Sequence, residues 1–160
     1  MIQYILMAVF CVGAVALDQL TKYWVVQNIQ PFEQIPVIPG IFHLTYTENT
    51  GAAFSSLEGQ RWLFVLVLLA FAAFIIWEFP KKRLAFTNLE RWMIVSIFAG
   101  GVGNMIDRLY QGFVVDMIEV EFMRFAVFNV ADIFITCGCI ALIAHLVLVN
   151  KTFWKEDKKK

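Results

Sequence analysis

Two aspartates stand where a carboxylate is costly. Asp116 lies in Val114-Val115-Asp116-Met117-Ile118, and Asp132 in Phe128-Asn129-Val130-Ala131-Asp132-Ile133-Phe134. Ionisable side chains at membrane depth are expensive and usually mark function. A carboxyl among apolar neighbours holds its proton more tightly, because desolvation penalises the charged form. Two such carboxyls in one low-dielectric site cannot both ionise, so they share a proton, and one is a base while the other is an acid at the same pH. Such a pair can hydrolyse a peptide bond. The base activates water towards the carbonyl, and the acid protonates the oxygen or the leaving amine. Either Asp alone reads equally well as a helix cap or a solvated loop residue; two at matching depth are harder to explain that way.

Other hydrolytic sets lack parts. There is no HExxH and no GxSxG, and the only histidines are His43 and His145. His145 sits deep in an apolar run and reads as a core or interfacial residue. The three cysteines, Cys11, Cys137 and Cys139, all lie in apolar runs. An odd count without CxxC spacing fits neither a disulfide framework nor a zinc site, so they read as small core residues. No metal and no cofactor is expected.

Two further polar clusters accompany the aspartates. Asp18 and Lys22 are spaced i,i+4 with the acid first, which is either a pair that lets a buried helix carry charge or a contact to substrate. Gly100-Gly101-Val102-Gly103-Asn104-Met105-Ile106-Asp107-Arg108 combines small residues, which let helix backbones approach closely, with Asn104, Asp107 and Arg108 at i, i+3 and i+4. The latter three read as a polar clamp or as part of a site. Asp107 adjoins Arg108, which favours its ionised form. Asp107 with Asp132 is therefore the second choice of acid–base pair, behind Asp116 with Asp132.

The elements that hold these residues follow from composition. The chain has 160 residues, 60% hydrophobic and 16% charged, with a mean hydropathy of +0.70. An ordinary soluble domain is about 45–50% apolar and about 25% charged, so this chain belongs in a bilayer. Its 13 basic and 13 acidic residues cancel, and no global field suggests nucleic acid as a partner. Crossing the hydrocarbon takes roughly 20 mostly apolar residues. Residues 2–26, 62–79, 89–106 and 131–149 qualify or nearly do, the third being diluted by Ser96, Gly100, Gly101, Gly103 and Asn104. The first has no basic leader and is too long for a cleaved signal peptide, so it reads as a retained helix.

Orientation follows the basic residues. Lys81, Lys82, Arg83 and Arg91 lie between the second and third stretches, and Lys151, Lys155, Lys158, Lys159 and Lys160 in the tail at 150–160, leaving Lys22, Arg61, Arg108 and Arg124 for the other side. Both termini are thus expected in the cytoplasm, with the longer loops 28–61 and 107–130 outside and the tail lysines against membrane lipid. Residues 35–47 and 113–128 are β-branched and aromatic, with Pro39-Gly40 as a turn, which predicts strands lying on the outer surface. The expected fold is a single all-α membrane domain over residues 1–160, four transmembrane helices with a small extracytoplasmic β-sheet.

In order along the chain stand Asp18-Gln-Leu-Thr-Lys22, Asn49-Thr-Gly51-Ala-Ala53-Phe54, Gly100-Gly-Val-Gly-Asn104-Met-Ile-Asp107-Arg108, Val115-Asp116 and Phe128-Asn129-Val-Ala131-Asp132. Together they resemble bacterial lipoprotein signal peptidase, signal peptidase II, over nearly the whole chain. Met117 departs from the Phe that many members carry there. The resemblance implies an aspartyl endopeptidase of the bacterial plasma membrane, acting near its outer face. It would cut a diacylglyceryl-modified prolipoprotein just before the lipidated Cys, and a globomycin-like cyclic peptide would occupy its substrate site. It implies a dyad of Asp116 and Asp132, a supporting shell of Asn104, Asp107, Arg108, Asn129 and Ala131, and Asp18, Lys22, Asn49, Gly51 and Ala53 near the substrate. A proton-coupled carrier using the same carboxylates, or a non-enzymatic membrane adaptor, would be the alternative; four spans without inverted repeats speak against a carrier.

Overall fold

The structure is a computed structural model that describes residues 1–31, 33–51 and 60–150. Its elements run α1 (Ile2–Asn28), β1 (Ile35–Ile38), β2 (Phe42–Asn49), α2 (Arg61–Lys81), α3 (Asn88–Tyr110), β3 (Val114–Val120) and α4 (Val130–Leu148). The helices match the expected stretches, apart from α3, which continues four residues past Ile106. Ala53, Phe54 and the tail at 151–160 lie outside the described residues.

Three helices, α1, α2 and α4, are long and apolar enough to cross a membrane. Their outward faces explain why: Val9, Val12 and Leu20, then Leu66, Leu69 and Ile76, then Ile140, Ile143 and Val147 are each more than half exposed. In water such continuous apolar surface would be a liability; lipid is its natural solvent. α1 buries only a narrow stripe, Met7, Ala14, Asp18, Lys22 and Val25, spaced at three, four and seven residues as one helical face requires. α3 is the hub, packing against α1, α2 and α4. It has 23 residues, but Glu90, Arg91, Asn104, Asp107 and Arg108 are all buried within it, and they hold its hydropathy down.

Two glycines set how closely these helices meet. A Cβ on Gly100 would run into the Ala131 carbonyl, and one on Gly103 would stand 2.5 Å from the Asp18 carboxylate. The glycine run therefore seats α3 against both the start of α4 and the polar face of α1.

The sheet is antiparallel in the order β1-β2-β3. Thr47 faces Asp116 and Asn49 faces Val114, while Leu44 faces Ile118. Between those pairs β2 advances three residues and β3 two, so β2 carries a bulge there. Val25 of α1 and Ile29 just after it pack with Val115 and Met117 of β3, fixing the sheet over one end of the bundle. The strand predicted over 113–128 is shorter than expected. After Val120 the chain turns back, and Phe128 exchanges hydrogen bonds with Ile118 at 2.8 and 3.0 Å. This return brings Asn129 against the middle of β3.

Candidate active site

α4 begins with a reciprocal cap. The Asn129 side-chain oxygen accepts from Asp132 N–H at 3.0 Å, and the Asp132 Oδ2 accepts from Asn129 N–H at 3.2 Å. The pattern satisfies two of the helix's orphan donors, and a carboxylate in the first turn also suits the helix dipole. The cap fixes Asp132 at the mouth of α4. Its other oxygen, Oδ1, accepts from Asn104 Nδ2 at 2.7 Å.

Asp116 projects from β3 and is 2% exposed. Its Oδ2 accepts from Asn49 Nδ2 at 2.8 Å and its Oδ1 from Asn129 Nδ2 at 2.6 Å. Burial pushes its carboxyl up to about 6; the Asn49 bond opposes that rise, and the negative charge of Asp132 adds to it. Asn129 thus touches both aspartates, one through its side chain and one through its backbone.

Behind this pair lies a buried charge cluster. Lys22 Nζ sits 2.8 Å from Asp18 Oδ2 and 2.9 Å from Asp107 Oδ2, and donates to Asn104 Oδ1 at 2.9 Å. Asp18 Oδ1 accepts from Ala131 N–H at 2.9 Å, and Asp107 Oδ2 from Val115 N–H at 3.2 Å. The cluster therefore holds both elements that carry the aspartates: α4 through Ala131 and β3 through Val115. Gln19 completes it, donating to Asp107 Oδ1 at 2.9 Å and to the Gly103 carbonyl.

In front of the pair is a cavity of about 730 Å³, lined by Asn49, Asn104, Arg108, Asp116 and Asp132 at one end. The rest of its wall is apolar apart from Thr136, with Phe64, Val67, Leu68 and Phe71 from α2 and Ile133, Ile135 and Cys137 from α4. α2 packs chiefly on α3 and stands off from α4, so the cavity lies in a gap between two lipid-facing helices. Arg108 spans its polar end. Its guanidinium donates to the Gly51 carbonyl at 2.5 Å and the Asn104 carbonyl at 3.2 Å, and lies 4.4 Å from the centre of the Phe64 ring.

A model of the signal peptidase (SPase) II family matches residues 10–148. The chain belongs to the signal peptidase II family. Two lipoprotein signal peptidases of Streptococcus pyogenes, serotypes M2 and M5, are 43% and 42% identical to it over 146 residues, 89% of each chain. A bacterial membrane enzyme solved by the in meso method at 2.3 Å shares the fold with a TM-score of 0.80 at 31% identity, covering 96% of this chain and 93% of that one. A second such structure, at 1.9 Å, gives 0.79 at 32% identity, covering 89% and 93%. The chain is accordingly a multi-pass membrane protein and an aspartic peptidase.

Asp116, Asp132, Asn49, Asn104 and Arg108 converge on the cavity; Asn129 bonds both aspartates from behind, and Ala131 ties the start of α4 to Asp18. Asp18 and Lys22 are 1% and 3% exposed and do not line the cavity; they pair as the i,i+4 spacing allows. Asp116 is not a carboxylate among apolar groups alone, because two amide donors face it. Asp107 is also placed differently. Consecutive helical residues do not face each other: Asp107 turns to Lys22 of α1, while Arg108 turns to the cavity and Gly51. The cation in contact with Asp107 is thus Lys22, and Arg108 acts on it at longer range through its charge. Ala53 lies outside the described residues. Gln19, Phe64 and the wall at Phe125–Phe128 were missed. Gln19 was within reach, as an amide at membrane depth between Asp18 and Lys22 is itself a signal; the aromatic wall reads as ordinary lipid-facing sequence.

Proposed function

We propose that this peptidase removes the signal peptide from prolipoproteins whose lipobox Cys carries a diacylglyceryl group, cutting just before that Cys, with Asp116 and Asp132 as its catalytic dyad. The observation that carries the reading is the meeting of two carboxyls, one from β3 and one from α4, at the polar end of an apolar cavity. With one proton between them, the ionised carboxylate takes a proton from water, and the hydroxyl adds to the carbonyl carbon while the protonated partner gives its proton to the oxygen. Collapse of the tetrahedral diol breaks the C–N bond. The Cys nitrogen takes up a proton and leaves as an amine, and the signal peptide leaves as a carboxylic acid. Asn49, Asn104 and Asn129 hold the pair by hydrogen bonds, and Arg108 adds a positive charge near both aspartates. The gap between α2 and α4 receives the signal-peptide helix and acyl chains from the bilayer, and a globomycin-like peptide would fill the same space.

In this reading α3 is the fourth span, since 23 residues reach about 34 Å at 1.5 Å each and its polar groups face other helices. The Lys81–Arg83 loop and both termini lie in the cytoplasm, and the sheet lies on the outer leaflet, where an exported precursor arrives. Acyl chains already in the bilayer gain little from further burial. The lipid serves instead to fix the depth of the scissile bond, an orientation effect. The test is cleavage of one precursor with and without its diacylglyceryl group. The unlipidated form should turn over roughly tenfold more slowly, with KM little changed. Equal turnover would overturn lipid-dependent cleavage before Cys.

A further inference from the structure

We infer that Lys22 is a positioning residue for catalysis, acting through the side chain of Asn104, rather than a group that contacts substrate. The inference rests on the proposed dyad. An ammonium has three donors and no acceptor. Lys22 spends two of its donors on Asp18 and Asp107 and aims the third at Asn104 Oδ1. A second donor, Asn129 Nδ2, reaches the same oxygen at 3.1 Å. The Asn104 oxygen is thereby committed to its back side, and its NH₂ must point forward, where it meets Asp132 Oδ1 at 2.7 Å.

The other two amides at the site are fixed by the same logic. Asn129 Oδ1 takes the Asp132 N–H and Asn49 Oδ1 takes the Gly51 N–H at 3.0 Å. Backbone N–H groups only donate, so these two amides also present NH₂ to the carboxyls. All four carboxyl oxygens of the pair therefore receive one N–H bond each: Asp116 from Asn49 and Asn129, and Asp132 from Asn104 and the Asn129 backbone. None of these donors can accept a proton back. The proton that the pair shares is confined to lone pairs that face the cavity, where water and the scissile bond arrive. Asn104 is the one amide of the three whose polarity is set by a side chain and not by backbone. Without Lys22, the only remaining restraint on its oxygen among the described residues is Asn129 Nδ2. A flipped Asn104 would turn its oxygen to Asp132 and accept a hydrogen bond from its protonated carboxyl, holding the shared proton on the side away from substrate.

The test uses the full-length enzyme in lipid vesicles and a lipidated precursor, with Asp116→Asn and Asp132→Asn assayed alongside. If those two remain active, the dyad reading fails, whatever Lys22 does. If they are inactive, Lys22→Met should lower kcat roughly tenfold with KM within about twofold of wild type, as expected for a misplaced reacting group. Lys22→Gln, which keeps a neutral donor on a shorter stem, should recover part of that loss. A kcat for Lys22→Met within about threefold of wild type, or equal losses for Met and Gln, would overturn the inference. A side chain that merely balances buried charge would behave in the second way. If Lys22→Met does not fold, the wild-type enzyme still decides. NMR of ¹⁵N-Asn-labelled protein should show one slowly exchanging Asn104 side-chain pair, and a second set of signals from a flipped amide would overturn it.

Discussion

The chain uses one local device at both ends of its helix bundle, and only one of the two carries chemistry. α3 begins with Thr87 and Glu90, and α4 with Asn129 and Asp132; each pair forms the same reciprocal cap. At α3 the acid is sealed. Glu90 is 0% exposed. Its Oε2 accepts from Thr87 N–H at 2.6 Å and Asn150 Nδ2 at 2.8 Å, and its Oε1 lies 2.8 Å from His145 Nδ1. Nearby, the Phe79 carbonyl at the end of α2 accepts from Tyr4 of α1 and Arg91 of α3. These contacts lock four helices together, and none of these residues lines the cavity in front of Asp132. At α4 the same cap leaves Asp132 partly open, with lone pairs turned to a 730 Å³ space beside a second carboxyl. A buried polar network is therefore not a site by itself; an acid becomes one when its cap positions it and the packing leaves its front open.

Neutralising each capping acid separates the two ends most sharply. Asp132→Asn and Asp116→Asn should each lower kcat roughly a thousandfold or more, because members of one catalytic unit are lost together. Glu90→Gln should leave the rate per folded molecule within about threefold and lower stability by about 1–3 kcal/mol, the range for disturbing a buried hydrogen-bonded group. A Glu90 variant as dead as Asp132→Asn at unchanged stability would erase the distinction.

A smaller change separates cap from chemistry within α4. Serine caps helices as well as asparagine does, so Asn129→Ser keeps the start of α4 but removes the NH₂ that bonds Asp116 Oδ1 and Asn104 Oδ1. Stability should fall little, while kcat falls roughly tenfold or more through the loosened pair. Unchanged kcat in a correctly folded Asn129→Ser enzyme would reduce Asn129 to a cap.

Much of this contrast was legible in the sequence, and the reason differs by end. The apolar runs stood out because bilayer thickness fixes a helix length, and the outer polar residues because each sits near a neighbour in a short motif. Asn129-x-x-Asp132 reads as a cap from spacing alone, and the structure gives it both the bland role and a place at the candidate site. The inner lock was not legible. Tyr4, Phe79, Glu90, His145 and Asn150 belong to four helices and the end of the last one, and no motif links them. His145, read as a core or interfacial residue, turns out to be half of an acid–histidine contact that only the α3–α4 packing creates. The contact partner of Asp107 was hidden for a related reason: the ammonium that touches it, Lys22, lies on another helix, while the neighbouring Arg108 acts on it through charge alone.

The titration of the open end is the next, gentler test. Asp116 has its carboxyl pushed up to about 6 by burial, against the Asn49 bond and with the charge of Asp132. A raised carboxyl keeps its proton until the pH climbs past that value. The pair can therefore hold one proton below about pH 6 and loses it above, so kcat should decline on an alkaline limb beginning near there. Such a limb belongs to the pair and not to one residue. A kcat profile flat from pH 5 to 8 would show that the shared proton is not limiting. The thermal midpoint of the Glu90 end offers the control, since a rate limb that merely tracked unfolding would appear in both.

The smallest expected effect concerns the caps alone. Thr87 accepts from Glu90 N–H at 3.2 Å, and it contacts no cavity-lining residue described for the site. Thr87→Ala should lower stability by about 1 kcal/mol, the usual loss when a capping hydroxyl is removed, and Thr87→Ser should restore most of it. Neither should alter kcat or KM. Chemical unfolding in a fixed detergent reads the first quantity and precursor cleavage the second. If Thr87→Ala lowered kcat without lowering stability, the cap of α3 would be coupled to the dyad along α3, some four to five turns away from Asn104. The two ends would then be a single device. If stability alone responds, the same motif is structural at one end and chemical at the other, and what divides them is the open space in front of Asp132.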